Sequence, residues 1–353
     1  MPVIRFLLFV LAANQVFAAF SATATIAISH TRAGSSDLTN FPMLISGSYP
    51  QMASVANGGY VTNANGYDVI FTSDSACTHK LNWETEYWNA NGKVAYWVNI
   101  PTLSHTLDNT IYACVGNAGI GTDQSNRSGV WGMNFAGVWH FPNGTALSAN
   151  DSSNNGNNGT SVTASATAGM VDGAANFNGS QAIVVPDTTT LQTSVLTVEM
   201  WLYLPSLPAN FVAVVRKGTP WYVQLTNQNH IGFAINDDYY AADDFPAVIG
   251  WQHLVFTYDG SNIVSAYLNG TFVHTRSVGT IGLDYTNLYI GETENPANHE
   301  YLTGTIDELR VSNVVQPANW IAADYANQAN PSSFYSLNFP IAGAISTGRP
   351  VLW

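Results

Sequence analysis

Charge is what this sequence has least of. Of its 353 residues only 9% are Asp, Glu, Lys or Arg, against about a quarter in an ordinary soluble protein. Cations are the rarer sign, ten Lys and Arg against 23 Asp and Glu, for a formal net charge of −13. So few cations cannot neutralise a phosphate backbone or an anionic lipid surface, which argues against nucleic acid and acidic membrane as partners. Cysteine is nearly missing. Cys77 and Cys114 are all there is, without CxxC spacing and too few for a zinc site. Beyond the first twenty residues no apolar run is long enough to read as a membrane span. HExxH, GxSxG and phosphate-cradling glycine loops do not occur.

What is present begins with "MPVIRFLLFVLAANQVFAAF". One Arg, an apolar run and small residues, with Val16 and Ala18 in an A-x-A-like arrangement, read as a secretory signal peptide over 1–19. A retained N-terminal anchor is the alternative. Cleavage removes Arg5 and leaves the chain one unit more negative. In a secreted or surface-exposed protein two isolated cysteines are expected to pair, and a Cys77–Cys114 disulfide would close a loop of about 40 residues. Two buried free thiols are the alternative in a compartment that is not oxidising.

From 20 to 118 the chain alternates with period two. "TATIAIS", "FPMLISGS", "GYDVIFTS", "LNWETEYWN", "KVAYWVNI" and "NTIYACVG" are short β-branched and aromatic runs between Gly, Asn, Ser and Pro, which predicts an antiparallel β-sandwich. Residues 119–133 are glycine-rich and polar and read as a linker. Twelve further strand-like runs follow, from "AGVWHF" to "GTIDELRVS", predicting a larger two-sheet jelly roll over 134–337. "PANWIAADYANQ" (317–328) breaks the alternation and fits one short helix. Residues 338–353 read as an apolar tail that docks as an extra strand or awaits a partner. The fold class is all-β.

The order of "GAANFNG", "QAIVVP", "LTVEMWLYL", "WQHLVFTYDGSNIVSAYLNG" and "LTGTIDELRVSNVV" resembles the laminin-G-like jelly rolls of the concanavalin A-like lectin/glucanase group. "FPMLIS", "YDVIFTSDS", "LNWETEYWN", "YWVNIPTLS" and "VGN" resemble the domain of unknown function 2341, which brings no known chemistry. Glucanases of the jelly-roll group carry an E-x-D-x-x-E strand motif that is absent here, so the resemblance implies binding rather than hydrolysis. Asp151, Ser153, Asn155 and Gly156, in "DSSNNGNNG", follow the first half of a loop that turns oxygens onto calcium. Val162 stands where the closing acid belongs. The resemblance implies that Asp307, from the "IDE" strand, completes a structural calcium site with Asp151 and Asn155. A slack linker is the rival reading of this loop.

Three further groups are candidates for chemistry. Glu84 and Glu86 sit two apart on one strand, their carboxylates about 6–7 Å apart. That spacing suits glycoside cleavage, but a solvated strand face explains it more simply. His253 in "WQHLVFTY" has no accompanying nucleophile and reads as structural. "INDDYYAADDF" (235–245) places Asp237, Asp238, Tyr239, Tyr240, Asp243 and Asp244 in one loop, where aromatic faces and carboxylates could grip a sugar; an ordinary acidic loop is the alternative. Trp221, Tyr222 and His299 are candidates for the same rim. Six N-x-[ST] sites, at Asn126, Asn143, Asn150, Asn158, Asn178 and Asn269, carry glycans only in a eukaryotic secretory path. The expectation is a secreted or surface-exposed, non-enzymatic protein that binds a glycan or cell-surface ligand. A structural part of a cell envelope or viral particle is the alternative, and a glycoside hydrolase the remote one.

Overall fold

The structure, a computed structural model, describes residues 19–142, 146–236, 244–282, 284–293 and 300–340. Residues 1–18 of the expected signal peptide, Asn143, Asp237, Asp238, Tyr239, Tyr240, Asp243, His299 and the tail beyond 340 lie outside them. All six strands predicted for the first sandwich form: β1 (Ala22–Ile28), β2 (Leu38–Ser48), β3 (Val69–Thr72), β4 (Trp83–Trp88), β5 (Lys93–Leu103) and β6 (Asn109–Val115). A helical turn, α1 (Arg127–Val130), leads to β7 (Phe135–Trp139).

The jelly roll follows with β8 (Ser161–Val162), β9 (Ser165–Ala168), β10 (Gly173–Asn178), β11 (Ile183–Val185), β12 (Leu196–Leu204), β13 (Val212–Lys217) and β14 (Trp221–Leu225). It continues through β15 (His230–Ile235), β16 (Phe245–Pro246), β17 (Gly250–Tyr258), β18 (Ile263–Leu268), β19 (Thr271–Ser277), β20 (Leu288–Ile290) and β21 (Thr303–Ser312). The chain then forms α2 (Ala318–Ala329), α3 (Pro331–Phe334) and β22 (Tyr335–Asn338).

The jelly roll has an eight-stranded sheet, β19-β18-β17-β12-β21-β10-β9, with β7 also on β21, facing a seven-stranded sheet, β16-β15-β14-β13-β20-β11-β8. Its core is the inward half of each alternating strand. On β12 this is Leu196, Val198, Met200, Leu202 and Leu204. The outward half of β12, Thr197, Glu199 and Trp201, is also nearly inaccessible. The middle of the eight-stranded sheet is therefore covered on both faces, and its second cover there is the rest of the chain.

That cover does not follow the boundaries drawn from sequence. The first sandwich pairs sheet β22-β1-β6-β3 with sheet β2-β5-β4, so the last strand completes the first sheet. Ile28 pairs with Tyr335 and Thr25 with Asn338, and the expected break at 337/338 falls inside β22. Trp320, Ile321, Ala323 and Phe334 enter the first sandwich's core. Phe41 meets Trp320 edge-on and stacks on Phe334, both with ring centroids 5.9 Å apart. The jelly roll is thus inserted into the first sandwich rather than appended to it. A fringe of loop and helix carries too little periodicity to reveal such a return from sequence.

Cys77 and Cys114 form the expected disulfide, with Cα atoms 6.2 Å apart and a separation of 37 positions in sequence. It staples the turn after β3 to β6. Replacing both cysteines with Ser is expected to cost about 2–4 kcal/mol of stability. Denaturant unfolding of the double variant against the oxidised parent measures this, and a loss below about 1 kcal/mol would contradict it.

Candidate functional site

The stretch 151–159 is a tightly wrapped loop, not slack. Asp151, Ser152, Ser153 and Asn157 are all nearly inaccessible. One Asp151 oxygen accepts from Val138 N (2.9 Å) and Ser153 N (2.7 Å), the other from Ser153 Oγ (2.7 Å) and Asn157 N (2.8 Å). Asn155 donates its amide to the carbonyls of Phe135 and Ala136. Asp307 lies in a separate network, one oxygen accepting from Met170 N and Val171 N. These residues do not fit calcium. Four N–H and O–H donors already fill the Asp151 carboxylate, and a cation there would face their positive ends.

What the loop does hold is the other domain. Ser152 Oγ donates to Glu84 Oε1 at 2.7 Å, and Asn154 Nδ2 to Ser128 O at 3.2 Å. Glu84 and Glu86 are not on a solvated face. Their side chains are 10% and 1% exposed, pressed against the jelly roll. A strand face reads as polar whether water or a second domain covers it, which is why the sequence misled.

These carboxylates open onto a buried polar seam between the domains. His140 shares its Nδ1–H between the two Glu308 oxygens (2.8 and 2.9 Å) and directs Nε2–H at Glu84 Oε2 (3.3 Å). Trp131 Nε1 also donates to Glu84 Oε2, and Trp97 Nε1 to Glu86 Oε2 (2.7 Å). Arg310 donates to Glu308 Oε2 (2.8 Å) and Asp324 Oδ1 (3.1 Å). Its guanidinium lies 4.4 Å from the Trp97 ring centroid and 4.9 Å from that of Trp131. Beyond it, His253 Nε2 is 3.1 Å from Glu199 Oε1, and Gln328 links Asp324 to Trp201 Nε1. His253 is structural in position, as the sequence suggested.

The backbone explains how so many acids reach one face. Strand β21 should alternate, yet Ile306, Leu309 and Val311 all face the jelly-roll core. Two residues, Asp307 and Glu308, therefore share the outward side. The register of β12 on β21 shifts between Glu199 and Trp201, and Glu308 has φ +51°. This bulge costs on the order of 1–2 kcal/mol of left-handed strain at a non-glycine residue. It sets Asp307, Glu308 and Arg310 together on the seam. "GTIDELRVS" shows the charges, but not the bulge that aligns them.

Among the described residues two groups bring three ligand-type atoms within 4.8 Å: Glu86, His140 and Glu308, and Glu199, His253 and Asp324. The protein's own cations serve both. Burial alone would lower the His140 pKa, but the charges of Glu308 and Glu84 raise it well above its ordinary value. Burial would raise Glu84, yet the His140 charge and its hydrogen bonds hold it below the usual carboxylate range. Glu86 and Asp307 are pushed well up by burial and then by the Glu308 charge, Asp324 by burial and the Glu199 charge. Burial lowers His253 to about 4, so it stays neutral.

The signs give a pH profile. His140, Glu86, Asp307 and Asp324 bind protons more tightly folded than unfolded, so their contribution is lost as pH rises through the folded pKa values. His253 and Glu84 act oppositely: His253 loses stability from its unfolded pKa of about 6.5 downward, Glu84 from about 4.5 downward. The melting temperature should therefore be higher near about pH 5.5 than about pH 8.5, and His140→Gln should flatten the alkaline limb. A melting temperature climbing steadily to about pH 8.5 would overturn this assignment.

The sugar-rim residues fare differently. Trp221 is a correction: it is 1% exposed and stacks on Phe233 inside the jelly-roll core. Pairing of Lys217 with Trp221 fixes the alternation, so Trp221, Val223 and Leu225 point inward. Tyr222 falls on the opposite face, yet is also 1% exposed, with the Arg216 guanidinium 4.2 Å from its ring centroid. Asp244 is structural, accepting from Phe233 N and Arg276 Nε, both at 2.8 Å. The loop acids and tyrosines between them lie outside the described residues.

No curated protein matches the chain. Domain 4 of AbnA, a GH43 extracellular arabinanase from Geobacillus stearothermophilus solved with arabinotriose, aligns over 55% of this chain and 98% of its own, at 21% identity and TM-score 0.45. The binding domain of Paraclostridial Mosquitocidal Protein 1 aligns over 54% of this chain and 52% of its own, at 14% identity and TM-score 0.44. The binding domain of botulinum neurotoxin serotype D/C aligns over 55% and 52%, at 12% identity and TM-score 0.43. The family model for the Concanavalin A-like lectin/glucanases superfamily matches residues 177–322. Over that stretch this chain carries a concanavalin A-like, laminin-G-like domain.

Proposed function

We propose that the chain is a non-enzymatic extracellular binding protein, with the two sandwiches locked into one body and recognition of a glycan or surface ligand as its task. One observation carries the reading. The carboxylates and histidines best placed for acid–base work, Glu84, Glu86, His140 and Glu308, are sealed between domains with side chains at most 10% exposed. A general acid must reach its substrate, and here tryptophans and a salt-bridged arginine take that place. The disulfide and the lectin-type domain favour an extracellular setting. The first sandwich, with its resemblance to domain of unknown function 2341, serves as the scaffold that closes the seam. The test is a glycan array run beside a polysaccharide hydrolysis assay on the full chain. Binding without turnover is expected; hydrolysis abolished by Glu84→Gln or Glu86→Gln would refute the proposal.

Calcium is tested separately. Because protein donors saturate Asp151, chelation is expected to leave the melting temperature unchanged. Asp151→Ala should cost about 2–4 kcal/mol, since several buried donors lose a charged acceptor. A melting temperature that falls on chelation would return the loop to its metal-binding reading.

A further inference from the structure

The first sandwich leaves one end of the eight-stranded sheet's outward face open. In the seam, Trp201 and His253 are shut in, 3% and 0% exposed. One row further along, the cover stops. There Tyr203 of β12 and Trp251 of β17, opposite each other across the ladder, are only half-buried. The register carries this row across the sheet. Tyr203 pairs with Thr305 of β21, Thr305 with Asn176 of β10, and Asn176 with Ser165 of β9. Ala164, Ala175, Leu202 and Ile306, one residue away on the same strands, point into the jelly-roll core. The row of five therefore stands on the outward face. Strands about 4.8 Å apart make it a strip about 19 Å long.

Two halves of the strip differ in chemistry. The Tyr203 and Trp251 rings have centroids 5.5 Å apart and planes inclined at 56°, a shallow aromatic corner. Among the described residues neither the Tyr203 hydroxyl nor the Trp251 Nε1–H has a protein partner, and neither is sealed from water. Beyond the rings come a hydroxyl, an amide and a hydroxyl. Thr305 Oγ1 donates to Asn176 Oδ1 and Asn176 Nδ2 to Ser165 Oγ, each at 3.4 Å, beyond the usual length of such bonds. These groups keep donors and acceptors to spare. None of the five side chains carries a charge, so an ionic ligand would find no counter-ion here. A strand added to the sheet would need an edge, and this is a face. A neutral chain with apolar ring faces and a fringe of hydroxyls suits both halves: its rings stack and its hydroxyls meet the polar row.

We infer that this strip binds a neutral polysaccharide chain, with sugar rings laid on Trp251 and Tyr203 and hydroxyls bonded to Thr305, Asn176 and Ser165. The inference rests on the binding function proposed above and places it on the uncovered end of the eight-stranded sheet. Affinity electrophoresis and calorimetry with arabinan, xylan, mannan, galactan and soluble β-glucan, and with their oligosaccharides from the monomer upward, provide the probes. The parent is expected to bind at least one of them, more tightly as the chain lengthens. Added salt should change that affinity by less than about two-fold, because no charge is involved. Trp251→Ala and Tyr203→Ala should each weaken binding about ten-fold or more, and Trp251→Phe should restore most of it. If the parent binds a glycan and both alanine variants bind it equally, the strip is refuted while the binding function stands. If no glycan binds at millimolar concentration, both fall. Self-association that Trp251→Ala abolishes would give the face to a second copy and overturn the assignment. Should an alanine variant melt early, Asn176→Asp decides, since its half-exposed carboxylate is tolerated by the fold. Binding about ten-fold weaker in that folded variant supports the strip, and full retention overturns it.

Discussion

Residues 20–133, produced alone, are expected to remain unfolded, and joining 317–338 to them through a flexible linker should restore the sandwich. The returning segment gives the first core Trp320, Ile321 and Phe334. At about 1.5–3 kcal/mol for each fully buried large apolar side chain, their loss removes roughly 5–9 kcal/mol. That is comparable with the whole stability of an ordinary domain, about 5–15 kcal/mol. Polar ties go with them. Asn327 accepts from Leu44 N (2.6 Å) and donates to Leu44 O (3.0 Å), and Tyr335 OH accepts from Ser46 N (3.0 Å). Without β22, one edge of β1 is also left unpaired beside a depleted core. Amide dispersion in NMR spectra decides the matter, and a dispersed spectrum from the short fragment alone would contradict the insertion architecture.

Replacing Arg310 with Ala is expected to cost about 3–5 kcal/mol, because buried acids lose their counter-charge. Glu308 and Asp324 lose direct hydrogen bonds, and Glu199 a cation 3.6 Å away. Trp97 and Trp131 lose the guanidinium packed on their rings, so tryptophan fluorescence reports the seam itself. With the seam weakened, denaturant unfolding should split from one transition into two as the domains part company. Adding Glu308→Gln and Asp324→Asn should recover part of the loss, since the penalty comes from stranded charge rather than missing volume. A single variant within about 1 kcal/mol of the parent would show that the acids are neutral without Arg310.

The strands were legible because alternation is local. "LTVEMWLYL" announces β12 and its inward Leu, Val and Met without help from any other segment. The disulfide was legible because two isolated cysteines have only each other. The seam was not. Its members come from β4, β5, the residue after β7, β12, β17, β21 and α2, and His140 joins Glu84 to Glu308 across more than two hundred residues. On each strand an acid on the outward face looks like a solvated one. "INDDYYAADDF" drew attention to sugar chemistry by composition alone.

The pairing of β22 with β1 has a mechanical side. The strands are antiparallel, with Thr25 opposite Asn338, so the chain enters and leaves the described fold at the same end of one ladder. Tension between those two ends would peel β1 from β22 one hydrogen-bonded pair at a time instead of shearing all pairs together. The first sheet would yield under modest load, paying out chain while the inserted jelly roll stayed shielded.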